Sequence, residues 1–195
     1  MLEKIIEGCE KLFRRYGIKS LSMDDIAREL GMSKKTIYQY VTDKNDLVKK
    51  TFSSVLSCNE EKCNLLDKVA KNPVEEMLIL TREVSQQMKG INSSVFYDMQ
   101  KYHPEAWQMF NDFINSFVYN RVKINLQNGI EQGFYRTDIN TEILSRIYIT
   151  MMNLITDHER FGEQEYDFST IYNEIIKYHF NAICTDKGFK IFNKN

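Results

Sequence analysis

The chain has 195 residues, 43% of them hydrophobic, enough to bury one substantial core or a small domain plus a larger one. With two prolines, eight glycines, no low-complexity tract, no apolar run near the roughly 18 residues of a membrane span and no signal-peptide core after Met1, it is expected to be a globular, cytoplasmic protein without a membrane partner. Net charge is −1 but unevenly spread: residues 1–50 hold 11 Lys+Arg against 8 Asp+Glu and the remainder 15 against 19, so a polyanion would meet the N-terminal end.

Apolar residues recur three and four apart almost everywhere, which predicts an all-α fold. Leu2, Ile5, Ile6, Cys9, Leu12, Phe13 and Tyr16 form the stripe of a first helix that Gly17 ends. Ser22 caps a second helix, with Asp25 three residues on as a capping-box acid and Ile26, Ala27 and Leu30 facing inward. Gly31 stops it, Ser33 caps a third helix starting at Lys34, and Asp43 caps a fourth that turns Leu47, Val48, Val55 and Leu56 inward.

The third helix has little to bury. At about 100° per residue, with Ile37 and Val41 inward, Lys35 and Gln39 point away from the core, Lys34 and Tyr38 lie on one flank, and Thr36 and Tyr40 on the other. Ammonium and hydroxyl donors straddling an outward ridge suit a major groove, where phosphates line the walls and base edges form the floor. A helix-turn-helix places its second helix there. The competing view, an ordinary solvated face with tyrosines packed on neighbours, explains neither the turn glycine nor the bracing first helix.

Phe13, Tyr16-Gly17, Ser22-Met-Asp-Asp-Ile26-Ala27, Leu30-Gly31-Met-Ser33, Thr36-Ile37-Tyr38-Gln-Tyr40-Val41 and Lys44-x-x-Leu47 together resemble the N-terminal domain of the TetR/AcrR family of transcriptional repressors. The resemblance implies a three-helix helix-turn-helix domain over residues 1–46 and a larger helical effector-binding and dimerisation domain over 47–195. It implies that Thr36, Tyr38, Tyr40 and Lys44 contact phosphates and that Lys34, Lys35 and Gln39 approach base edges; with the capping Ser33 these make the expected DNA-contacting set. Two departures stand out: Met23 where a phosphate-contacting Thr is frequent, and Val41 in place of the usual phenylalanine.

Beyond the fourth helix no comparable chemical motif appears. Pro73 starts a helix running toward Gly90, another segment spans Asn92 to Tyr102, and after Pro104 a long pattern runs from Trp107 to Leu126. The stretch Gly133 to Asn140 interrupts helix, and Asn140 or Thr141 caps the next. The last two predicted helices, from Ile143 to Ile155 and from Phe168 to Ile183, are apolar around more of their circumference than one buried stripe needs. One face would cover the domain core and another a second copy, giving a four-helix homodimer interface, as the resemblance also implies.

Phe96, Tyr97, Met99, Tyr102, His103, Trp107, Phe110 and Tyr148 are candidate lining for a small hydrophobic or aromatic effector, although most such residues in any chain are simply core. No cofactor or metal is expected. Cys9, Cys58, Cys63 and Cys184 form no C-x-x-C pair; neighbours such as Asp157-His158-Glu159 on a helix point in different directions; His103 and His179 are isolated. An enzyme is not expected either, since there is no G-x-S-x-G, phosphate-cradling glycine loop or H-E-x-x-H. The reading is a ligand-responsive repressor that binds palindromic operator DNA as a homodimer. The alternative, a helical protein adaptor or small-molecule binder without sequence-specific DNA binding, explains the last helices but leaves the donor ridge without a use.

Overall fold

Local capping signals set the first four helices. α1 (Leu2–Tyr16) buries Ile5, Cys9 and Phe13 and ends at Gly17, whose φ of 79° lies in the left-handed region that favours glycine. α2 (Met23–Glu29) opens on a complete capping box: Asp25 donates its N–H to the Ser22 hydroxyl at 3.1 Å, and Ser22 returns its N–H to the Asp25 carboxylate at 3.0 Å. Ser33 caps α3 (Lys34–Ile37) by accepting the Thr36 N–H at 3.0 Å, and Asp43 accepts the Asp46 N–H at 2.9 Å where α4 (Lys44–Leu66) begins.

The α-helical part of α3 is four residues long, shorter than its pattern predicts. From there the chain tightens: the N–H groups of Gln39 and Tyr40 reach back three residues to the carbonyls of Thr36 and Ile37. The run Thr-Ile-Tyr-Gln-Tyr-Val is rich in β-branched and aromatic residues, which hold an α-helix poorly without packing on several sides.

Asn72 caps α5 (Pro73–Met88), with proline in the first turn as expected. α6 (Ser94–Tyr102) and α7 (Pro104–Asp112) follow, then a π-helical turn over Phe113–Val118 that runs into α8 (Tyr119–Glu131). The long Trp107–Leu126 pattern is thus carried by two α-helices and the π turn between them. Asn140 accepts the Ile143 N–H at 3.1 Å to open α9 (Thr141–Ile155), and Asp167 caps α10 (Phe168–Ile183). A short α11 (Asp186–Phe192), capped by Thr185, comes after the helix expected to be last. The structure describes residues 1–66, 69–92, 94–155 and 166–194 of this computed structural model, so the Asp157-His158-Glu159 run lies outside the described residues.

The fold is all-α, with one isolated bridge between Tyr135 and Cys184 and no strand among the described residues. It divides into two compact units, one of Met1–Asn59 and Gly90–Asp112, the other of Glu60–Lys89 and Phe113–Asn195. The partition expected at 46/47 follows the motif, whereas packing draws α6, α7 and the first part of α4 into the unit that carries the helix-turn-helix. The first unit's core includes Ile5, Phe13, Ile18, Ile26, Ile37, Leu47, Val48 and Met99. Val41, at 3% exposure, packs in this core where the resemblance leads to the expectation of a phenylalanine.

The second unit packs α5, α8, α9, α10 and α11 around Met77, Leu126, Tyr135, Tyr148, Tyr172, Ile176 and Phe180. The Tyr135 ring lies where a Cβ on Gly129 would stand, and both Phe134 and Tyr135 donate their N–H groups to the Gly129 carbonyl. Any side chain at 129 would expel that ring from the core.

Candidate nucleic-acid interface

The ridge forms as its spacing requires. Ile37 is fully buried, while Lys34, Lys35, Tyr38, Gln39 and Tyr40 are exposed and Ser33 and Thr36 sit at the helix start with their hydroxyls 2.7 Å apart. Tyr38 and Tyr40 are 41% and 37% exposed, so neither is a core residue and both hold a phenol at the surface. Lys34 forms an exposed pair with Asp24 at 2.9 Å, which raises its pKa and carries it from α3 toward the start of α2. Such a pair is weak enough to be exchanged for a phosphate. Gln39 and Lys35 face solvent at the crest.

Lys44 stands differently from the other candidates. Its ammonium is partly buried and donates to the carbonyls of Ile18 and Leu21 at 2.7 and 2.5 Å, and burial lowers its pKa. Two of its three donors are committed to the loop between α1 and α2, so it braces that loop before it can meet any phosphate. Lys50, which sequence reasoning did not single out, donates to the Tyr40 carbonyl at 2.9 Å and to Asp46 at 2.8 Å, tying the end of the ridge to α4. Met23 is 8% exposed and packs in the core, so this chain has no hydroxyl at that position to offer DNA.

The sequence marks Asp98 only as one common acid among several, because its partners are eighty residues away. Its carboxylate, 4% exposed, accepts the N–H groups of Ile18 and Lys19 at 3.0 and 2.8 Å. The α1–α2 loop is therefore held by Asp98 of α6 and by Lys44 of α4, and both lie in the helix-turn-helix unit. His103 is buried, with Nδ1 2.6 Å from the Asn45 amide oxygen; burial and then nearby Lys44 lower its pKa.

The candidate effector residues divide. Phe110 stacks on Trp107 at 5.6 Å and meets Phe96 in a tilted contact at 5.5 Å, an aromatic group in the first unit. Tyr97 and Tyr102 do not join it: Tyr97 is 45% exposed and accepts a bond from Lys101 at 2.8 Å, and Tyr102 lies under Lys19 and Lys101. Nine-residue α6 can turn only one face inward, and Val95, Phe96, Asp98 and Met99 occupy it. His103 is engaged with Asn45. Tyr148 belongs to the second unit, where it is 3% exposed beside the ring of His179. Six of the seven expected residues thus lie in the first unit and Tyr148 in the second.

Residues 5–51 match the family described as bacterial regulatory proteins, tetR family. Over 196 aligned residues the chain is 26% identical to the uncharacterized HTH-type transcriptional regulator YvaF of Bacillus subtilis, covering 96% of this chain and 97% of the relative. Solved structures share the fold: a transcriptional regulator from Saccharomonospora viridis in complex with choline matches with TM-score 0.75 at 17% identity, covering 94% of this chain and 97% of that one. The regulator FadR of Bacillus subtilis in complex with stearoyl-CoA matches with TM-score 0.67 at 16% identity, covering 92% and 98%.

Proposed function

We propose that this chain, a transcriptional regulator of the TetR family and not an enzyme, represses genes by binding palindromic operator DNA as a homodimer and is released by a small, mainly apolar effector. The observation that carries the reading is the ridge on α3. Five side chains with hydrogen-bond donors are held out of the core by a buried Ile37, on a turn stabilised by Ser33 and Lys50. In this reading Lys35 and Gln39 address base edges, while Thr36, Tyr38 and Tyr40 meet the phosphates beside them. Lys44 contributes mainly by holding the α1–α2 loop.

The homodimer is supported by an apolar surface on α9 and α10. Ile143, Ile147 and Tyr178 are 56%, 44% and 67% exposed in the single chain, and Tyr178 lines an open groove of about 460 Å³ together with Met151, Tyr166, Thr170, Ile171, Glu174 and Ile175. Exposed apolar residues grouped on two packed helices suit an interface. Two-fold pairing would present two ridges to a two-fold operator. That small molecules act as effectors is supported by the choline and stearoyl-CoA complexes of structures sharing the fold.

Selection of bound fragments from a random DNA library tests the proposal. A palindromic consensus should emerge, and Lys35→Ala or Gln39→Ala should blur it at defined positions. Recovery of no consensus at moderate salt would refute sequence-specific operator binding.

A further inference from the structure

Several buried or mostly buried polar side chains of the second unit are visibly paired, among them Arg121 with Glu76 at 2.8 Å. Asn125 donates to the Pro73 carbonyl at 2.9 Å and to Glu76 at 2.8 Å and accepts from Tyr135 at 3.0 Å; Ser145 donates to the Thr141 carbonyl at 2.7 Å and Thr81 to that of Met77 at 2.7 Å. His179 is 3% exposed, yet its Nε2 has no hydrogen-bond partner among the described residues. Its ring sits 5.1 Å from that of Tyr148 in an edge arrangement, and the phenols of Tyr148 and Tyr172 neighbour each other, with Tyr172 next to Thr81. Folded proteins rarely leave such a nitrogen unpaired, because it gives up water and receives nothing.

We infer that His179, with the phenols of Tyr148 and Tyr172, is the anchor for the polar head of the effector, and that this head is an uncharged hydroxyl or carbonyl on an apolar body. The inference rests on the ligand-responsive reading above and specifies the ligand's chemistry. α9 and α10 supply these side chains, with Thr81 of α5 beside Tyr172, all in the second compact unit. Arg121 and Glu76, mostly buried in this same unit, already pair with each other at 2.8 Å, and Glu76 also takes a bond from Asn125, so an ionic head would have to displace an existing partner. A carboxylate or a quaternary ammonium would bring an uncompensated charge into an apolar core, and a quaternary ammonium has no N–H or lone pair to offer Nε2. A hydroxyl can both donate and accept, so it satisfies either imidazole tautomer and a phenol together. The surrounding Phe180, Ile176 and Ile183 suit an aliphatic or aromatic tail.

The test holds the tail constant and changes the head: 1-decanol, decanoate and decyltrimethylammonium are each titrated into the full chain, with melting temperature and DNA release as readouts. The expected result is a rise in melting temperature with decanol alone. His179→Phe should raise the melting temperature of the unliganded protein, since it removes an unpaired polar atom, and should weaken decanol binding about tenfold, the size of one hydrogen bond to a buried group. Tyr172→Phe keeps the ring and should also weaken decanol, guarding against a folding defect in the first variant. No shift with decanol, equal shifts with all three heads, preference for a charged head, or undiminished decanol binding by both variants would each overturn the inference. So would a crystal structure in which a water bonded to Nε2 survives saturation with decanol. DNA binding by the unliganded protein is recorded separately. Its absence would sink the operator reading while a head-selective thermal shift left the anchor standing.

Discussion

The Asp98 carboxylate accepts the Ile18 N–H at 3.0 Å, joining α6 to the loop that leads into the helix-turn-helix. The same oxygen takes the Lys19 N–H at 2.8 Å. Asp98→Ala strands both donors, and losing a charged acceptor at a buried site costs about 1–3 kcal/mol. Urea unfolding should show that loss, with Asp98→Asn intermediate because its amide oxygen can keep one bond. Equal stability of all three proteins would show that the loop holds itself.

Lys44 grips the same loop from the other side. Lys44→Ala should lower stability by about 1–2 kcal/mol through two stranded carbonyls and weaken operator and random DNA by the same factor. Lys35→Ala, whose side chain is exposed, should leave the melting temperature unchanged. If Lys44→Ala leaves stability intact but lowers the salt slope of binding by about one ion, Lys44 is a phosphate ligand first.

On the ridge, Lys35→Ala and Gln39→Ala should each cost on the order of 1–3 kcal/mol at particular base pairs if the contact is bidentate. Anisotropy titrations on operator variants separate this from a general loss. Identical losses on operator and random DNA would place both residues against the backbone.

The helix-turn-helix was legible because its signals are local: Gly17, the Ser22–Asp25 box and the Ser33 cap each act within four residues. What was not legible depends on distant partners. Asp98 reads as one acid among many until Ile18 and Lys19 arrive from eighty residues away. Periodicity gave α6 an apolar face but could not say that Tyr97 and Tyr102 meet lysines. α11 is only seven residues long and lay hidden behind a Gly in its first turn. His179 was noted only as isolated, and only burial makes that isolation informative.

Ile147 and Tyr178 are exposed in the single chain, whereas Ile176, on the same apolar helix as Tyr178, is 2% exposed and belongs to the core. Ile147→Glu or Tyr178→Glu should therefore give a monomer with unchanged helix content, because a charge in a buried interface lacks a partner. Ile176→Glu should unfold the unit instead. Light scattering at micromolar concentration decides it: a monomeric parent protein, or a dimer that tolerates both exposed-site charges, removes α9 and α10 as the interface.

The last prediction concerns pH. Burial holds the His179 imidazole neutral, pushing its pKa from an ordinary 6.5 down to about 4. In the unfolded chain the same ring takes up a proton near its ordinary value, so between those two pH values the unfolded state binds more protons and stability falls as pH drops. His103, lowered by burial and then by Lys44, acts with the same sign. Paired carboxylates such as Asp25, Asp46 and Asp167 have lowered pKa values, so their contributions are retained until the pH falls below the usual carboxylate range. Between pH 6.5 and 4.5 the decline therefore belongs to the imidazoles, and one fully buried ring accounts for about 2–3 kcal/mol of it. Urea unfolding of the parent and of His179→Phe across that range should show the variant's stability falling less steeply by up to one proton's worth. Parallel curves would mean that His179 becomes protonated without unfolding, and hence that its Nε2 already has a partner in solution.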